Sequence, residues 1–101
     1  MMAVSHIDNL LASARKCYAQ AAAWERKNPG KRSFQFGFAA DMLMRIVHEN
    51  EVAMSREAWD KFEGLMEGDK RDVRQAFAHL GAYARIGREN AIYHLKHSRR
   101  R

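Results

Sequence analysis

The chain has one proline in 101 residues, and it sits in the triplet Asn28-Pro29-Gly30. Proline lacks the amide proton that would continue a helical ladder, and glycine accepts turn angles that other residues avoid. A turn is expected there, so whatever precedes it must end by about residue 27. What precedes it is a helical stripe. Ile7, Leu10, Leu11, Ala14, Cys17, Tyr18, Ala21 and Trp24 recur at helical steps, which predicts a first helix from Ser5 to about Lys27.

Beyond the turn no segment makes a convincing strand. Phe34, Phe36 and Phe38 alternate briefly, but AADMLMRIVHEN behind them is helical, with Phe36, Ala40, Leu43 and Val47 stepping by four, three and four. Ser33 is placed to cap this second helix, and Ser55 to cap a third, short one carrying Trp59, Phe62 and Met66 and ended by Gly68. Asp69, with Asp72 three residues on, favours another N-terminus, and Val73, Phe77, Leu80 and Ala84 then share a side. Gly81 and Gly87 interrupt that pattern, each costing about 1 kcal/mol relative to alanine. Either the helix breaks near Gly87 or a neighbour approaches closely there, and Ile92 and Leu95 anchor a final short helix.

The expected fold class is all-α: a compact single-domain bundle of four to five helices over residues 1–97, followed by a basic C-terminal tail, 98–101. Leu11, Tyr18, Trp24, Leu43, Val47, Trp59, Phe62, Phe77 and Leu80 are the expected core.

Several function classes lose ground. Cys17 is the single cysteine, so no internal disulfide forms, and on an apolar stripe it reads as a small buried hydrophobe rather than a nucleophile. No run approaches the roughly 18 apolar residues of a membrane span, and MMAVSHIDNLL lacks the layout of a signal peptide. The cytoplasm of a bacterial host is the expected setting. His94 and His97 share a helix face, and His79 could join them, but a zinc site wants three or four convergent ligands and no HExxH occurs. No phosphate-loop motif occurs either. The expectation is a protein that is not an enzyme and takes no metal or cofactor.

Charge is the better lead. Residues 1–33 carry six basic and two acidic side chains, residues 34–68 three and seven, and residues 69–101 nine and three, giving +4, −4 and +6. A basic chain with an acidic middle points toward anionic partners. In one helix over residues 70–90, Arg71, Arg74, Arg85 and Arg88 would follow one face, separated by the small residues Ala78, Gly81 and Ala82. Arginine suits bidentate phosphate contacts. Tyr83 and Tyr93 are candidates to stack on unpaired bases, and Lys96 adds charge beyond them. A second cluster, Arg26, Lys27, Lys31 and Arg32, surrounds the turn just after Trp24. The clusters gain meaning if the fold brings them together.

Base-specific reading is not the expectation. AFAHLGAY resembles the first helix and turn glycine of a helix-turn-helix, but the positions six and nine after Gly81, where apolar residues belong, hold Gly87 and Asn90. GRENAIYHLKH resembles the signature helix of bacterial replication initiators over eleven residues, one residue out of register.

In size, helical compactness and absence of a signature motif, the chain resembles small proteins of phages and mobile elements, among them all-helical anti-CRISPR proteins. The resemblance implies inhibition of a host nucleic-acid-handling or CRISPR-type defence system. Many such proteins are acidic DNA mimics, whereas this chain is basic at both ends, which suits covering nucleic acid itself. The leading expectation is a non-enzymatic binder of the DNA or RNA backbone, single strands included, acting by occlusion. The alternatives are a protein–protein inhibitor or adaptor docking on a host nuclease or helicase complex, and a helical homodimeric structural module.

Overall fold

The structure, a computed structural model, describes residues 3–68 and 70–98. The described residues form four helices: α1 (Val4–Lys27), α2 (Gln35–Glu49), α3 (Arg56–Met66) and α4 (Lys70–Ser98). Among the described residues there is no strand, and the chain forms the expected all-α bundle.

Local chemistry explains most of the boundaries. α1 stops at the Asn28-Pro29-Gly30 turn, where Gly30 takes a φ of +82°, a left-handed angle that favours glycine. The α1 start is less defined, because Ala3 stands in the cap position and offers no side-chain acceptor. Ser55 caps α3 as expected, its Oγ accepting the Ala58 N–H at 3.1 Å. Ser33 plays a different part. Phe34 occupies the α2 cap position, while the Ser33 N–H donates to Glu25 Oε2 at 2.9 Å and Ser33 Oγ accepts the Gln35 N–H at 3.2 Å. Glu25 is only 2% exposed, so this acidic residue ties the interhelix loop back onto α1. The Asp69 cap lies outside the described residues.

The expected last two helices are one. α4 runs unbroken for 29 residues, through both glycines and through Ser98, so Ser98 belongs to the helix and not to the expected tail; residues 99–101 lie outside the described residues. It has no turn at Gly81. Gly87 is explained by close approach: a Cβ built there would lie 2.9 Å from Ile46 Cγ2, 3.1 Å from the Ile46 carbonyl oxygen and 3.3 Å from Val52 Cγ2. α4 survives its local glycine cost because that glycine lets α2 come near.

The two glycines should therefore respond oppositely to alanine. At Gly81 a new Cβ meets nothing within 4 Å, so Gly81→Ala should stabilise by about 1 kcal/mol through helix propensity. Gly87→Ala gains the same propensity but must displace Ile46, and overpacking costs roughly 1–3 kcal/mol, so the net change should be a loss. Urea unfolding of both variants measures this. A stabilised Gly87→Ala would mean that the helices are not in close contact there.

α4 packs against all three other helices, α1 also packs on α2, and α3 packs on α4 and meets α2 where Trp59 stacks on His48 at 5.5 Å. The main core joins Ile7 and Ala14 of α1, Leu43, Ile46 and Val47 of α2, Phe62 of α3, and Leu80, Ala84 and Ala91 of α4. Among the described residues, seven of the fifteen buried hydrophobics are alanine, so the helices meet closely through small side chains. The consequence is that larger groups stay near the surface. Leu11, Tyr18, Trp59 and Phe77 are only half-buried, and Trp24, expected in the core, is 42% exposed. Trp24 lies at the edge of the α1 stripe, beside a slot lined by Gln20, Ser33, Phe34 and Gln35, while the adjacent Glu25 is buried.

The molecule is a slab, with Cα extents of 56 × 28 × 14 Å and a radius of gyration of 14.9 Å, against about 13 Å for a rounder chain of this size. Its thin direction holds two layers of helix. Beyond Ile92, α4 projects past the bundle, and Tyr93 to Ser98 are all exposed.

Candidate nucleic-acid interface

α1 and α4 run antiparallel, since Asp8 meets Arg88 near one end and Tyr18 meets Phe77 toward the other. They flank an open groove. Leu11 and Arg15 of α1 and Phe77, Ala78, Gly81 and Arg85 of α4 line it, together with Leu43 of α2. Arginines from two distant parts of the chain thus meet around an apolar floor. Arg85 was expected; Arg15 was not, because nothing local in α1 reveals which helix lies beside it.

On α4, Arg71, Arg74, Ala78, Ala82 and Arg85 are all exposed, as the sequence spacing requires. Arg74 lies toward the Tyr18 end of the groove. Burial pushes the Tyr18 phenol above its ordinary value, and the Arg74 charge pulls it partly back. Tyr18 is held between two rings, edge-on to Phe36 at 5.3 Å and tilted against Phe77 at 4.3 Å. Lys96 is exposed and, 18 residues or about five full turns beyond Ala78, continues the same face.

Arg88 is committed elsewhere. Its Nε donates to Asp8 Oδ1 at 2.5 Å and its Nη2 lies 3.4 Å from Asp8 Oδ2. The hydrogen bond, reinforced by the charge of Arg88, holds the Asp8 carboxyl below its ordinary value. Glu89 adds a second negative charge beside Arg88, so the basic face fades at this end. Asp8→Asn should release Arg88 toward the groove. Affinity for nucleic acid should then rise several-fold and log K should fall more steeply with log salt, by about 0.9 for one added phosphate contact. A salt titration by fluorescence anisotropy reads this. An unchanged slope would mean that Arg88 does not reach the ligand.

The tyrosines are split. Tyr83 is half-buried, packs against the main core and turns its ring edge to His79 at 5.5 Å. It stands about 140° around α4 from Ala78 and does not join the arginines. His79 in turn lies 3.3 Å from the Ala58 carbonyl of α3. Tyr93 is 57% exposed on the projecting end, stacked on His97 at 3.9 Å. Among the described residues no three potential ligands converge to hold a metal ion, and no helix is long and apolar enough to cross a membrane.

The second basic cluster lies at the far end of α1. Arg26 and Lys27 occupy its last turn, where cations also favour the helix dipole, and Lys31 and Arg32 follow in the loop; all four are exposed. Arg32 donates to the Met66 carbonyl at the end of α3 and shares a cleft with Met66 and Val73. The loop is therefore held beside the beginning of α4, and the two basic clusters are neighbours. Comparison with protein-family models, curated proteins and solved structures finds no match to this chain.

Proposed function

We propose that this protein binds the phosphate backbone of nucleic acid through the groove between α1 and α4, without catalysis. The observation that carries the reading is convergence: Arg15 and Arg85, seventy residues apart, line one groove. Arg74 and Lys96 extend the same side, and the small residues Ala78 and Ala82 leave the guanidiniums accessible. Guanidinium groups chelate phosphate oxygens in pairs, and neutralised phosphates release their counterions, which drives association. Such binding would hide a strand from enzymes that act on it. Occlusion of a host nucleic-acid-handling or CRISPR-type defence system is the biological role that we attach to it.

Mobility shifts with single- and double-stranded DNA and RNA test the reading. With four to five phosphate contacts, affinity should drop on the order of a hundredfold between about 50 and 200 mM salt, with little dependence on sequence. Binding that ignores salt, or that needs one sequence, would overturn it.

A further inference from the structure

A second surface, not used by the groove, lies between the end of α1 and the start of α2. Gln20, Trp24, Ser33, Phe34 and Gln35 line a slot there. Phe34 is 76% exposed, Trp24 42%, and Phe38, edge-on to Phe34 at 5.7 Å, 52%. Single exposed apolar side chains are ordinary, but three large rings side by side mark a binding surface.

The slot is built in advance of any ligand. The buried Glu25 carboxylate holds the Ser33 N–H, Ser33 Oγ holds the Gln35 N–H, and Asn28 Nδ2 donates to the Trp24 carbonyl at 2.9 Å. Both ring-bearing segments are thus pinned. The slot carries one aromatic ring on each of two elements and two primary amides, each able to donate and accept. None of its lining residues is charged, while Lys27 and Lys31 stand exposed in the adjoining turn. A purely apolar ligand would leave the amides unused. A flat ring with polar edges, attached to an anionic chain, uses the rings, the amides and the lysines together.

We infer that the slot takes an unpaired nucleobase, so that the strand held by the groove is single-stranded. This rests on the backbone-binding reading above. Trp24 lies on the flank of α1 opposite Arg15, and a strand joining the two must round the end of α1. That end is where Arg26, Lys27, Lys31 and Arg32 stand, which accounts for their position. Arg15 to Lys27 alone spans about 18 Å along the helix, so several nucleotides are needed.

The test uses the full chain and an oligonucleotide of about 15 thymidines, a length within the range of single-strand sites, with a duplex of equal length as comparator. Tryptophan fluorescence should be quenched by the oligonucleotide, and Trp24→Phe should remove the quenching although Trp59 remains. Phe34→Ala, at a residue too exposed to matter for folding, should weaken oligonucleotide binding between about fivefold and a hundredfold and leave duplex binding unchanged. A Phe34→Ala protein that binds the oligonucleotide as the native chain does would overturn the inference and leave the patch to a protein partner. Equal weakening for strand and duplex would overturn it too, as would quenching that persists in Trp24→Phe. If neither nucleic acid binds in a salt-dependent way, it is the backbone reading that has failed.

Discussion

Replacing Arg15, Arg74 and Arg85 together with alanine is expected to lower nucleic-acid affinity on the order of a few hundredfold at about 0.1 M salt. Each phosphate contact adds about 0.9 to the dependence of log K on log salt, so three lost contacts should flatten that dependence by about 2.7. All three side chains are exposed, so the helices that carry them should persist, with an unchanged circular dichroism spectrum. Net charge falls from +6 to +3, and a general loss of attraction must be separated from loss of a site. Arg45, Arg56 and Lys61 serve for that. They lie in the acidic middle of the chain, and removing them changes the net charge equally. If the groove is the site, the second triple variant should lose far less affinity than the first. Equal losses would reduce the basic face to a diffuse charge effect.

The largest expected effect on stability is at Leu80. Its side chain is fully buried on α4, the helix that touches all the others. Leu80→Ala removes its apolar contacts and leaves a cavity, which together cost roughly 2–5 kcal/mol. The upper half of that range is expected, because the nearby buried residues of α4, Ala76 and Ala84, are too short to refill the space. A domain of this size holds about 5–15 kcal/mol in total, so the variant should be largely unfolded at modest denaturant concentrations. Phe77→Ala makes the comparison. Phe77 is larger but half-buried on the groove wall, and its loss should cost less than that of Leu80. Urea unfolding orders the two, and the reverse order would place the wrong side of α4 inside.

Wherever a feature depends on neighbours along the chain, the sequence was sufficient. The Asn28-Pro29-Gly30 stop, the Ser55 cap and the helical spacing of Leu43 with Val47 and of Leu80 with Ala84 all act within a turn or two, and each is where its local chemistry requires. The exposed row of Arg71, Arg74 and Arg85 follows from the same periodicity. Other features belong to contacts between distant segments. Gly87 keeps its place in a continuous helix because Ile46, forty-one residues earlier, lies against it. Arg88 is taken from the basic face by Asp8, eighty residues away. Trp24 belongs to the apolar stripe of α1 yet remains partly exposed, since a stripe reports which way a side chain points and not whether another element covers it. Periodicity defines the face of each helix, and the groove exists because an alanine-lined core lets α1 and α4 settle side by side over α2, bringing Arg15 opposite Arg85.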